Sequence, residues 1–118
     1  RRVADLVAGW AVPAELVVLF GSAARGDMTP ASDLDLFVVG PTDDATGAWD
    51  AQAADLAERA TAWTGNDCRI LQMHPGEVAA GILDEPVLAA IEREGQTLHG
   101  DPGYLRRARR AAARAGGR

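Results

Sequence analysis

The chain has 118 residues, is 47% hydrophobic and carries a formal net charge of −5, which gives one domain burying about two thirds of its unfolded surface and leaves no room for a second. Its single cysteine, Cys68, excludes an internal disulfide, and without a CxxC pair or a Cys/His cluster no structural zinc site is expected. No apolar run approaches the roughly 20 residues that span a bilayer and no secretion signal opens the chain, so a cytoplasmic location with no membrane role is expected.

Val3, Leu6, Val7 and Trp10 recur at helical spacing and predict a short amphipathic helix over 2–10, closed by Pro13. The run ELVVLF at 15–20 is too short and too uniformly apolar for a surface helix and predicts a strand buried on both faces. Gly21-Ser22 ends it, and a helical turn over SAARG is followed by the loop DMTPAS. A second strand, DLDLFVV, then spans 33–39 and is closed by the breaker-rich GPTDDATG. The longest helical segment is 48–63, with Trp49, Ala53, Leu56, Ala60 and Trp63 on one stripe suited to cover a sheet face. After the stop signal Thr64-Gly65-Asn66 comes DCRILQM as a third strand. Pro75 opens a helix over PGEVAAGIL, residues 85–94 form another ended by Gly95, and QTLHG is at most a short edge strand. This order predicts an α/β (α+β) fold, a small mixed β-sheet covered by helices.

Charge divides the chain unevenly. Residues 1–105 hold six arginines against all 17 acids and form the domain, while residues 106–118 hold six arginines and no acid and form an Arg/Ala-rich C-terminal tail. An acidic body argues against a broad nucleic-acid groove. The tail has high helix propensity but almost no apolar stripe beyond Tyr104 and Leu105, so it is expected to be exposed or frayed, and it could touch nucleic-acid phosphate, an acidic partner or the body itself. His74 and His99 are expected in solvated or hydrogen-bonded roles, and Trp10, Trp49 and Trp63 in core packing.

The chemistry concentrates at residues 19–39, LFGSAARGDMTPASDLDLFVV. Side chains alternate along a strand, so Asp33 and Asp35 share a face while Leu34 and Leu36 point the other way into the core. Two carboxylates about 6 to 7 Å apart on one face repel unless a cation lies between them, and Mg²⁺, which takes a few carboxylates plus substrate phosphate oxygens, suits the place. Gly21-Ser22 offers backbone N–H groups and a hydroxyl to a phosphate, and Arg25 adds positive charge. Alone, an Asp-x-Asp is more often a turn carboxylate and an edge residue than a metal site. The combination of Gly-Ser, ten intervening residues and Asp-x-Asp inside an apolar strand is much rarer by chance.

These residues resemble the nucleotidyltransferase superfamily that includes DNA polymerase beta, in particular the minimal nucleotidyltransferases of prokaryotes, whose pattern is a hydrophobic strand, Gly-Ser, a short helix often containing Ala-Arg-Gly, a loop and Asp-x-Asp. The resemblance implies a polymerase beta-like nucleotidyltransferase fold, Gly21 and Ser22 against the triphosphate, Asp33 and Asp35 on Mg²⁺, and Arg25 with Gly26 in the Ala-Arg-Gly position. It also implies ATP or another nucleoside triphosphate as substrate, transfer of AMP or another NMP to a hydroxyl of a protein or nucleic acid, and a HEPN-type toxin as a protein partner to which the chain is the antitoxin. The family's third carboxylate lies on the next strand, where the apolar positions Cys68, Ile70 and Leu71 align Arg69 with it. Asp67, two residues earlier, is the candidate for that catalytic role, with Glu77 a remoter one. Arg69 would replace some metal charge or bind phosphate. The alternative is therefore a catalytically weak binding or regulatory module of the same fold, linked to a DNA-binding segment upstream of Arg1.

Overall fold

Two apolar runs pair at the centre of the sheet. β1 (Leu16–Phe20) and β2 (Leu34–Val39) are antiparallel, from Leu16 opposite Val39 to Phe20 opposite Asp35. The computed structural model describes residues 2–26, 33–41 and 43–116, so the expected loop over 27–32 lies outside the described residues. β3 (Cys68–Met73) runs parallel to β2 on its far side, and β4 (Gln96–Gly100) runs antiparallel to β1, giving the order β3-β2-β1-β4. The sheet is mixed, as its element order predicts, and QTLHG is indeed an edge strand.

Both faces are covered. On one, Val17, Leu36 and Val38 pack with Trp49 and Leu56 of α3 (Ala48–Thr64) and Val7 of α1 (Arg2–Ala8). On the other, Leu16, Val18, Phe37 and Val39 pack with Val78 of α4 (Pro75–Gly81), Leu88 and Ile91 of α5 (Pro86–Glu94) and Leu105 of α6 (Tyr104–Gly116). Both sides of β2 therefore pack against apolar layers, which is why its sequence, apolar at every position but Asp35, does not alternate. The aspartate face is not simply the solvent face: Phe37 and Val39 continue it and are fully buried.

Trp49 anchors the α3 side. It is fully buried, stands edge-on to Trp10 with ring centroids 5.5 Å apart, and donates its indole N–H to Gln72 Oε1 at 2.9 Å. Its ring lies directly over Gly40, where a Cβ would collide with it, 2.6 Å from Cζ3 and 2.8 Å from Cζ2. Trp10 and Trp63 are only half-buried, and the Arg2 guanidinium lies 5.6 Å from the Trp63 ring centroid. His74 accepts the Gly76 N–H at 3.1 Å while Glu77 accepts the His74 N–H at 2.8 Å, a capping box at the start of α4. His99 Nε2 lies 3.1 Å from the Ala14 carbonyl oxygen.

The C-terminal segment is mostly exposed, as expected, but it is not frayed. It is helical to Gly116, and Ala108 and Ala112 lie partly buried against the core instead of fraying. Alanines four apart present a low face that lets the helix approach closely, a contact that a count of large apolar residues overlooks. Arg109 binds Glu92 at 2.7 Å, and Arg107 binds Asp101 at 2.6 Å. The compositional boundary at 105/106 thus falls inside α6.

Candidate functional site

Strand register assembles the site at one end of the sheet. Because β1 and β2 are antiparallel, the C-terminal end of β1 meets the start of β2, and the parallel β3 begins at the same end. Phe20 pairs with Asp35, so Gly21 follows β1 directly beside the Asp35 carboxylate; a Cβ on Gly21 would lie 2.5 Å from Asp35 Oδ2. Gly21 also has φ 75° and ψ −153°, a region essentially reserved for glycine. Ser22 opens the four-residue α2 (Ser22–Arg25), which has no side-chain cap. Asp33 immediately precedes β2 on the face of Asp35, and exposure falls along that face from 40% for the Asp33 side chain to 18% for Asp35.

Arg69 completes the cluster. It is paired in register with Asp35, and its guanidinium reaches both acids: Nε is 3.3 Å from Asp33 Oδ2 and 3.2 Å from Asp35 Oδ1, while Nη2 is 3.1 Å from Asp35 Oδ1. The position where resemblance places a third acid therefore holds a base bound to the other two. Asp67 lies outside β3, with its carbonyl oxygen accepting the Leu34 N–H at 2.7 Å, and its side chain is exposed. Among the described residues no group of three His, Cys, Asp or Glu side chains converges as a metal site would require. Glu77 is engaged in the α4 cap. Arg25 turns toward α5, where its Nη1 is 3.1 Å from Glu94 Oε1. That contact holds the Glu94 carboxyl below its ordinary range, with Arg93 adding to the effect. The structure thus gathers Gly21, Asp33, Asp35 and Arg69, with Ser22 adjoining them and Asp67 at the rim. Glu94 had no signal in the local sequence, because nothing near it indicates a partner 69 positions away.

Two carboxylates on one face are the kind of donor set that Mg²⁺ shares with phosphate oxygens. In this structure their charge is met by Arg69, so they fit the ion once the guanidinium has moved aside. Cys68 adjoins the site without belonging to it. Burial first, and the Asp35 charge second, push its thiol from 9.0 up to about 11. Thiolate is the reactive form, so iodoacetamide at pH 8 will modify Cys68 about 100-fold more slowly than a free cysteine, as mass spectrometry of timed samples will measure. The stabilisation from keeping the thiol neutral is complete below pH 9 and is lost as pH rises through 11.

The family described as "Nucleotidyltransferase domain" matches residues 8–71, a span that contains every member of the cluster. Several solved structures share the fold. A chain of a toxin–antitoxin crystal structure with AMP-PNP superimposes with a TM-score of 0.62 at 17% identity, covering 97% of this chain and 83% of that one. The MntA–HepT toxin–antitoxin structure gives 0.54 at 15% identity, with 97% and 80% covered. A tri-AMPylated Shewanella oneidensis HEPN toxin in complex with MNT antitoxin gives 0.50 at 14%, with 97% and 86% covered. No curated protein matches the chain significantly.

Proposed function

We propose, from the premise that this chain belongs to the nucleotidyltransferase domain family, that it transfers AMP from ATP to a hydroxyl of a protein partner, a HEPN-type toxin. The observation that carries this reading is the β1–β2 register, which sets the Gly21 turn against Asp35 with Asp33 on the same face. The AMP-PNP of one similar structure and the AMP-modified HEPN toxin of another support the choice of nucleotide and acceptor.

In the reaction, the acceptor oxygen forms a bond to the α-phosphorus, the bond from that phosphorus to the bridging oxygen breaks, and pyrophosphate leaves. Asp33 and Asp35 would hold Mg²⁺, which when bound offsets phosphate charge and orients the triphosphate. The absence of a side chain at Gly21 lets phosphate approach the backbone beside Asp35, and the exposed guanidinium of Arg69 is suited to phosphate oxygens. Asp67, exposed at the rim, is the remaining carboxylate that would take the acceptor's proton as a base.

A second reading, a nucleotide-binding regulatory module, is favoured by one observation: Arg69 stands where the third acid would be. Incubation with ATP labelled at the α-phosphate, Mg²⁺ and a purified HEPN-type partner separates the two. The first reading expects label on the partner, reduced about 100- to 1,000-fold by Asp33→Ala, the loss typical of removing one electrostatic stabiliser. Nucleotide binding without transfer would select the second.

A further inference from the structure

We propose that Arg69 is a resident cation in the metal's place, so that a divalent ion enters the Asp33–Asp35 pair together with the triphosphate that draws Arg69 away. This rests on the nucleotide-binding reading above and adds the order in which the components assemble. The guanidinium touches both acids, at 3.3 Å from Asp33 Oδ2 and 3.1 and 3.2 Å from Asp35 Oδ1. Both carboxylates therefore have a counter-charge before any ligand arrives. A free divalent ion must displace that charge or settle beside it, and a dication near a guanidinium is repelled about twice as strongly as a second unit charge would be.

Displacement is feasible because of where Arg69 sits. Its side chain is 68% exposed and stands on β3, an edge strand, so its departure leaves no buried hole. A triphosphate supplies what the free metal lacks, several negative charges whose oxygens match the planar fork of arginine. Arg69 then exchanges carboxylate for phosphate, and the oxygens it releases are those a hard cation takes up. Metal and nucleotide thereby bind with positive coupling, and linkage makes the coupling equal in both directions. A purely structural ion pair would not do this. An exposed pair contributes little to folding, so removing it leaves the melting temperature nearly unchanged, and a pair with structural meaning alone would give AMP-PNP the same effect on Mn²⁺ binding with and without Arg69.

The test is titration of the full chain with Mn²⁺, followed by electron paramagnetic resonance of the free ion, with and without AMP-PNP, each nucleotide titration corrected by a protein-free one because AMP-PNP itself chelates Mn²⁺. Without nucleotide, Arg69→Gln is expected to bind Mn²⁺ at least about tenfold more tightly than the native chain, and Arg69→Lys, which keeps the charge, to stay within about threefold of it. AMP-PNP is expected to tighten Mn²⁺ about tenfold on the native chain and much less on Arg69→Gln. Equal Mn²⁺ affinities for the native chain and Arg69→Gln, or no effect of AMP-PNP on the native chain, overturn the proposal. The transfer reading fails separately. Tighter Mn²⁺ binding by Arg69→Gln with no label on any partner removes transfer alone, whereas label transfer with unchanged Mn²⁺ affinity removes the role of Arg69 alone.

Discussion

Trp49→Ala will lower the unfolding free energy by about 3–5 kcal/mol, the usual cost of emptying a large aromatic site. Domains of this size have about 5–15 kcal/mol in all, so the variant will melt roughly 10–20 °C lower and will be partly unfolded at modest urea concentrations. The effect is large because one ring joins three parts of the fold: it stacks edge-on against Trp10, lies over Gly40 and donates to Gln72 on the neighbouring strand. The hole cannot close easily, since the Gly40 backbone has no side chain to move into it. Trp49→Phe restores most of the contact but leaves Gln72 Oε1 without its donor, and will cost about 1–2 kcal/mol. Urea titrations followed by far-UV circular dichroism will measure both. A Trp49→Ala variant within about 1 kcal/mol of the native chain would show that the α3 face does not depend on this ring.

On the proposed transfer reading, Gly21→Ala will reduce label transfer about 100-fold while leaving most of the stability intact. Two effects combine. Alanine is strained by about 1–3 kcal/mol in the Gly21 backbone conformation, and its methyl group would lie 2.5 Å from Asp35 Oδ2 and 3.4 Å from Cγ. The carboxylate must swing away, and a misplacement of about 1 Å in a positioned group is enough to slow a reaction about 100-fold. Stability suffers less because Gly21 lies outside the packed core and the chain can adjust around α2. Initial rates of label transfer, measured beside thermal melts, separate the two effects. Unchanged rates would detach the Gly-Ser turn from the chemistry.

The elements were legible where local pattern and tertiary demand agree. Trp49, Ala53, Leu56 and Ala60 form a stripe at helical spacing, and all four are buried. Gly-Ser and Asp-x-Asp stand at the ends of two apolar runs, and antiparallel pairing brings those ends together. What the sequence did not disclose depends on contacts across the fold. Alternation puts Phe37 and Val39 on the face of Asp35, but the run from Leu34 to Val39 does not show that this face passes beneath α4, α5 and α6. Arg25 belongs to the motif by spacing, yet its guanidinium meets Glu94. Arg69 could be aligned with the position of an acid, but its grip on both aspartates follows from register and side-chain reach. The Arg/Ala-rich segment misled for a related reason: the burial of Ala108 and Ala112 depends on the surface they meet.

Position 69 lies on the outermost strand, where β3, among the described residues, has backbone pairing on one side only. Its side chain is 68% exposed and contacts two carboxylates and solvent, so its identity is almost invisible to folding. Asp35 is different, held on the inner strand between two partners and pressed against a glycine. Substitution can therefore alter the charge opposite the aspartates without any refolding of the sheet. In this architecture the centre preserves the shape, and a change of charge at the rim leaves it intact.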